Sequence, residues 1–293
     1  MPPCLAQVTT EFLERPDLAP STVRSYESTL LPLLKQYGRW SIELLDRESI
    51  SEYLNGLENL SYTTHHRHQA IVQALFNFAV EQGYIRVNPL SRLRRRKPDP
   101  KQGEHQSDQA IRYLSSEQLQ VLYQQLKHDH RLHALVKLLH CSGARISEVL
   151  ALDESALDWQ GQKFQVVGKG NKQRWCFYSN EAAQILEKYR RYYRFKGYPA
   201  LFTAKHPTTE QVTRLSYSTA YHCWRTLTSQ HPVLIGTRLH DLRHTFATER
   251  VGLMGIEELR ALMGHEKIET TLRYQKVTSE RAEQVAKAAF QKI

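Results

Sequence analysis

A set of side chains suited to phosphoryl chemistry occurs in a fixed order along this 293-residue chain. Arg145 stands in HCSGARISEVL and Lys169 in the tight turn GKGNK; His240 and Arg243 share HDLRHTFAT; His265 ends LMGH, and Tyr274 closes the next helical stretch. Displacement at a phosphodiester builds negative charge on the non-bridging oxygens. Without a metal it demands fixed cations there, a nucleophile, and an acid for the leaving oxygen. Arginine suits the first role, because its guanidinium stays charged and its fork grips two oxygens at once. Arg145 and Arg243 are the candidates. Tyr274 is the candidate nucleophile; a phenol with a pKa of about 10 needs a base or strong cations beside it to react. His240 or His265 can take its proton or hold the phosphate. Lys169, on a hairpin turn, can protonate the departing oxygen, with Lys172 in the same turn as its competitor. Singly, each residue means little: an arginine after a helix break is usually a surface charge, and a tyrosine ending a helix is usually packing. The ordered set carries the signal.

These residues need elements to hold them. From Ser21 to Tyr37 apolar residues recur at gaps of three and four, which predicts an amphipathic helix; Pro32 inside it should kink it or split it in two. Helices are expected over Asp46–Leu57, with Asp46 as N-cap, and over Ser61–Gln82, ended by Gly83; Asn88-Pro89 then opens a short fourth one. The third begins THHRHQ. His65 and His68 have metal-ligand spacing, but no cysteine or acidic partner lies near, so a polar face turned to solvent or nucleic acid is expected, with Arg67 on it. The second half opens with a capping box, Ser115 to Gln118, and a helix through Leu126. Leu132–Cys141 is helical, Ser142-Gly143 interrupts it, and Ala144–Leu152 resumes, so Arg145 stands at a helix start. The period then changes to two: Leu157–Trp159, Phe164–Val167 and Arg174–Tyr178 read as three short strands. Helices follow over Asn180–Tyr193, Ser216–Ser229, His240–Val251, Ile256–Met263, Ile268–Tyr274 and a tail, Ser279–Gln291. The fold class is mainly α: an all-helical domain over 1–97, a basic and polar linker over 98–112, and an α-rich domain over 113–293 with one small three-stranded antiparallel sheet.

The net charge is +10, with 41% hydrophobic residues, so the chain has apolar matter for real cores and favours polyanionic partners. The charge concentrates in SRLRRRKPDPKQGEHQSDQ, where Arg92, Arg94, Arg95, Arg96, Lys97 and Lys101 crowd together against Asp99. A basic run joining two folded domains is placed to track phosphates, and an extended linker lets them clasp opposite sides of a duplex. Mean hydropathy is -0.55, with no transmembrane run and no leader-like N-terminus. The four cysteines lack metal or disulfide spacing and fit a reducing cytoplasm. No GxxxxGK[ST] loop and no carboxylate cluster for a two-metal site is present, so neither ATP nor a metal is expected and no cofactor is assigned.

With those motifs in place, the chain resembles the tyrosine recombinase (phage integrase) family over nearly its whole length. The N-terminal part looks like that family's core-binding, SAM-like domain, and the C-terminal part like its catalytic domain. By that resemblance Arg145 and Arg243 match the arginines that hold the scissile phosphate, Lys169 the general acid, His240 and His265 the two histidines, and Tyr274 the nucleophile of a 3′-phosphotyrosine link. Glu148 matches an acidic position that supports the site. The resemblance implies a site-specific recombinase acting as a homotetramer, or a hetero-tetramer with a paralogue, on two duplexes bearing a recombination site. The chain is similar to the simpler Xer-like members, with no room before Ser21 for an arm-binding domain; by the same resemblance the tail's apolar stripe would dock on a neighbouring protomer, the alternative being that it packs on its own domain. A type IB topoisomerase relaxing one duplex, and a DNA-binding protein that no longer cuts, are the competing readings.

If the basic run tracks phosphates, replacing Arg94, Arg95 and Arg96 together by Ala should flatten the salt dependence of DNA binding. Each lost contact should remove about 0.9 from the log–log slope; an unchanged slope makes the run a solvated tail.

Overall fold

The computed structural model describes residues 2–94, 96–99, 111–168 and 172–275. The chain forms two compact units, Met1–Gln109 and Ala110–Ile293.

Among its described residues the first unit packs four α-helices, α1 (Leu5–Leu13), α2 (Pro20–Tyr37), α3 (Arg47–Asn55) and α4 (Tyr62–Glu81), around Leu5, Phe12, Leu30, Leu33, Ile50, Leu75 and Phe76. Asp46 caps α3 by accepting the Ser49 amide at 2.9 Å, and Ser61 caps α4 through the Thr64 amide. Helix α1 is an addition to the sequence reading, although Leu5, Val8 and Phe12 carry helical spacing; Phe12 stacks on Tyr26 of α2 at 5.5 Å. Helix α2 runs unbroken through Pro32, which sits exposed while Leu30, Leu33 and Tyr37 on the inner face hold the helix to the core. The expected helix at Asn88-Pro89 is instead a run of turns. The Asn88 side-chain oxygen accepts the Leu90 amide at 2.7 Å, and the backbone closes only three-residue spans thereafter, a local bonding pattern that competes with helix. The polar face expected at THHRHQ is also corrected. His65 and His68 are buried, one bonded to the Leu54 carbonyl at 2.9 Å and the other to the Tyr53 hydroxyl at 2.7 Å, so both tie α4 to α3. Arg67 stays exposed and donates to the Ser25 hydroxyl.

The second unit is mainly helical: α5 (Ser116–Gln125), α6 (His130–Ser142), α7 (Ile146–Ala151), α8 (Asn180–Tyr192), α9 (Tyr217–Ser229), α10 (Leu239–Arg250), α11 (Ile256–Met263) and α12 (Ile268–Leu272). The α6 helix is its axis, with Leu135, Val136 and Leu138 fully buried and α8 and α10 packed on it. Strands β1 (Leu157–Asp158), β2 (Lys163–Val167) and β3 (Gln173–Phe177) form an antiparallel sheet in that order. Phe164 pairs with Cys176, and Phe164, Val166 and Cys176 turn into the core while Val167, Trp175 and Phe177 face out. A second, two-stranded sheet of β4 (Thr203–Lys205) and β5 (Val212–Arg214) is an addition; three-residue strands leave too little alternation to read. Helix α12 stops at Leu272, so Tyr274 lies in the turn beyond it, and the tail helix expected over Ser279–Gln291 falls outside the described residues.

The break between α6 and α7 positions the site. Gly143 ends α6 at φ +63°, a left-handed value that glycine adopts freely, and a Cβ there would meet the Phe246 ring at 2.4 Å. Gly143→Ala should therefore lose about 1–3 kcal/mol, measured as a lowered urea midpoint at unchanged slope.

Candidate active site

The last turn of α11 leaves carbonyls that no further turn can satisfy, and three arginines from three other elements take them. Arg174 of β3 donates through Nε to the Leu262 carbonyl at 3.0 Å; Arg243 of α10 donates to the Met263 carbonyl and to that of Gly143; Arg145, at the start of α7, donates to the Gly264 carbonyl at 3.3 Å. Cations at the negative end of a helix are favourably placed. Gly264 turns the chain at φ +62°, and a Cβ there would fall 2.8 Å from the Arg174 side chain, so only glycine lets β3 come this close.

Glu148 ties two of the three together. Its carboxylate accepts from Arg174 at 2.9 and 2.7 Å, from the Arg145 guanidinium at 2.9 Å and from the Arg145 amide at 2.7 Å. The amide bond caps α7, so one carboxylate sets both the helix start and the guanidinium on it. Burial pushes the Glu148 carboxyl up, but Arg174 and then Arg145 outweigh it and hold it at about 2. Arg243, only 3% exposed, is brought down to about 10 by burial and by repulsion from Arg145 and Arg174. Three crowded cations with one carboxylate leave net positive charge, which an added anion would relieve. Arg145 offers the accessible edge, its side chain 36% exposed.

Tyr274 sits beside this cluster, 3% exposed and packed with Phe246, Ala247, Leu259 and Met263. Its hydroxyl is hydrogen-bonded to Nδ1 of His244 at 2.8 Å. The His265 ring lies parallel to the tyrosine ring with centroids 6.2 Å apart, and its Nδ1 bonds the Thr271 hydroxyl at 2.9 Å. His240 meets His244 edge-on at 4.7 Å, one turn earlier on α10. Burial raises the Tyr274 phenol, against the pull of Arg243, Arg273 and Arg145. The histidines move the other way. Burial, then the arginines, bring His265 to about 3; burial, then His240, bring His244 to about 4; and burial with Arg243 lowers His240. All three imidazoles are therefore neutral near pH 7, able to accept as well as donate.

Of the residues singled out in the sequence, Arg145, Glu148, Arg243, His240, His265 and Tyr274 thus meet in one place. Lys169 lies outside the described residues, as does Arg95. Lys172 is exposed and pairs with Glu266 at 3.7 Å. Arg92, Arg94 and Lys97 are exposed in the first unit. Arg96 is not open in the same way: its guanidinium lies over the Tyr62 ring and donates to the Leu60 carbonyl at 3.5 Å. Sequence reasoning passed over Arg174 and His244. Arg174 shares the inward parity of Cys176 on β3, an anomaly for an arginine, and His244 lies one helical turn past His240. Among the described residues no group of His, Cys, Asp or Glu is arranged to hold a metal ion, and no helix is long and apolar enough to cross a membrane.

Comparison with known proteins covers both units. Residues 112–281 match the phage integrase family. Tyrosine recombinase XerD of Mycobacterium leprae is 28% identical over 297 residues, spanning 91% of this chain and 90% of the relative. The Tn1549 transposon integrase, solved with a circular intermediate DNA, superimposes with a TM-score of 0.73 at 17% identity over 98% of this chain and 99% of its own. A lambda integrase tetramer bound to a Holliday junction gives 0.67 at 16% identity over 90% of this chain and 76% of its own. At those identities the structural likeness speaks for the fold.

The Glu148 geometry fixes a pH dependence. A carboxyl held low in the folded state contributes stability above its unfolded value, near 4.5, and loses it as pH falls toward about 2. Urea midpoints of the wild type should drop across that window, and Glu148→Gln, uncharged throughout, should start lower and lack that part of the drop.

Proposed function

The chain belongs to the phage integrase family, and we propose that the cluster around Tyr274 is the centre at which it cuts and rejoins DNA. The protein is a site-specific DNA recombinase of the tyrosine type, which exchanges strands through a 3′-phosphotyrosine intermediate. A phosphodiester is traded for a phosphotyrosine ester of similar energy, so no ATP is consumed. DNA is the partner.

The observation that carries this placement is the convergence of Arg145, Arg243 and the Tyr274 hydroxyl around the end of α11, from positions far apart in sequence. In the proposed division of labour, Arg145 and Arg243 take the non-bridging oxygens of the scissile phosphate. They are fixed by carbonyls and by Glu148 before substrate arrives, so little reorganisation is needed at the transition state. Tyr274 attacks phosphorus, and His240 and His265 complete the polar wall around it. Lys169 delivers a proton to the leaving 5′ oxygen, a role assigned from the family resemblance and its sequence position between β2 and β3, with Lys172 the alternative. Exposed Arg67, Arg92, Arg94 and Lys97 supply phosphate contacts for the first unit, joined by Arg95 from the sequence reading, while Arg96 braces its own unit. The working assembly is a tetramer of this chain, or of this chain and a paralogue, on two duplexes carrying the recombination site; the lambda integrase tetramer on a junction supports it. The reaction is placed in the cytoplasm, in keeping with four cysteines that are all free thiols.

A duplex nicked near the cleavage point traps the intermediate. Wild type should form a covalent adduct and exchange strands between two duplexes, where a topoisomerase would only relax one and a non-cutting binder would do neither. Tyr274→Phe should bind DNA and form no adduct; a surviving adduct moves the nucleophile elsewhere, Tyr217 or Tyr221 being next to test. Arg145→Ala and Arg243→Ala should each slow single-turnover cleavage by about 10²–10³ on any substrate, the loss of an oriented donor worth about 2.7–4 kcal/mol. Lys169→Ala should be as slow on ordinary DNA but recover on a 5′-bridging phosphorothiolate, because a thiolate leaves unprotonated. Rescue of Lys172→Ala instead transfers the acid role to Lys172.

A further inference from the structure

We propose that His244 accepts the proton of the Tyr274 hydroxyl as that oxygen attacks the scissile phosphate, and returns it when the strand is rejoined. This rests on the reading of Tyr274 as the nucleophile, and assigns a role that neither His240 nor His265 is placed to fill.

Three imidazoles surround the tyrosine. His265 lies parallel to the tyrosine ring and its Nδ1 is engaged by the Thr271 hydroxyl. His240 presents itself edge-on to His244, with ring centroids 4.7 Å apart. His244 alone has a ring nitrogen at hydrogen-bond distance from the hydroxyl, Nδ1 at 2.8 Å. That distance lies within the range required of a general base. Both partners are neutral at rest, since burial raises the phenol and lowers the imidazole. Between neutral groups the phenol is the stronger acid, so its O–H donates to the Nδ1 lone pair and the imidazole carries its own proton on Nε2.

Placement on α10 matters as much as the bond. His244 directly follows Arg243, so the proton acceptor and one phosphate clamp share a rigid turn, and their spacing does not depend on a loop. The groups that face His244 are His240, Asp241, Arg238 and Arg243 from its own helix, and Tyr274 and His265 from the C-terminal segment. Arg238 and Arg243 disfavour a proton on it, while Asp241 favours one. A phosphate bound between the arginines offsets their repulsion, so His244 becomes a better base when substrate is in place. The site would thus hold Tyr274 protonated until there is something to attack.

The step balances. The Oη–phosphorus bond forms as the phosphorus–O5′ bond breaks, the Oη proton passes to Nδ1 of His244, and the leaving O5′ takes one from the acid. In rejoining, the 5′ hydroxyl attacks phosphorus and gives its proton back to the acid, and His244 returns its own to Oη.

His244→Asn tests this, because an amide oxygen can stand near the Nδ1 position and hold the hydroxyl but cannot take its proton. On the nicked substrate, adduct formation by the variant should be slower by about 10²–10⁴ at pH 7 with DNA affinity unchanged. Its rate should then rise about tenfold per pH unit, as hydroxide replaces the missing base, where wild type is flat. Fluorotyrosine at position 274, a more acidic phenol, should recover much of the loss in the variant and change wild type little. A variant within threefold of wild type overturns the proposal, as does a slow variant that responds to neither pH nor fluorination, whose defect is structural. If His244→Asn does not bind DNA, His244→Gln is measured by the same criteria. A Tyr274→Phe chain that still forms adduct, or a wild type that forms none, overturns the nucleophile reading itself and this inference with it.

Discussion

Everything in the second unit's site hangs on the end of one short helix. Three successive carbonyls at the end of α11, those of Leu262, Met263 and the capping Gly264, receive Arg174, Arg243 and Arg145. Buried guanidiniums are costly unless every one is hydrogen-bonded and charge is nearby to offset them. Here the helix terminus supplies oriented acceptors and Glu148 the single carboxylate. The result is a nest of cations that is stable before any DNA arrives yet still carries more positive than negative charge. In the proposed reaction such a nest would favour a transition state with more negative charge than its ground state, the differential that makes binding catalytic.

The same constraint explains two glycines. Gly143 must adopt a left-handed conformation for α6 to end and α7 to begin with Arg145 at its cap, and its carbonyl doubles as a partner for Arg243. Gly264 must do so for α11 to end with its carbonyls aimed at the arginines, and it must lack a side chain for Arg174 to lie against it. The GAR and MGH motifs are the local signatures of one junction. That junction binds β3, α7, α10 and α11 to each other through Arg174, Arg145 and Arg243.

Around the tyrosine, electrostatics and burial work in opposite directions on purpose-relevant groups. Burial holds the phenol protonated and the imidazoles uncharged, while the arginines pull the phenol toward ionisation. The balance keeps the hydroxyl quiet at rest and leaves its reactivity responsive to a bound anion, which changes the arginines' field more than it changes the burial.

The sequence by itself determined the local matters. Apolar gaps of three and four marked α2, alternation marked β2 and β3, and the residue types and order of GARISE, HDLRHTFAT and LMGH pointed to phosphate chemistry. Where short-range signals conflict or run short it misread: the Asn88 side chain accepting the Leu90 amide displaced a helix, and three-residue strands at β4 and β5 left no period to detect. Only the tertiary structure decided which polar groups share a site. Arg145 reaches Gly264 across 119 positions and Arg243 reaches Gly143 across 100, separations at which neither periodicity nor capping carries information. For the same reason His65 and His68, polar by type, became core ties between helices, and Arg174 and His244 joined the arginine cluster and the tyrosine. A side chain's type sets which bonds it can make; the packing of distant elements sets which partner is there to make them.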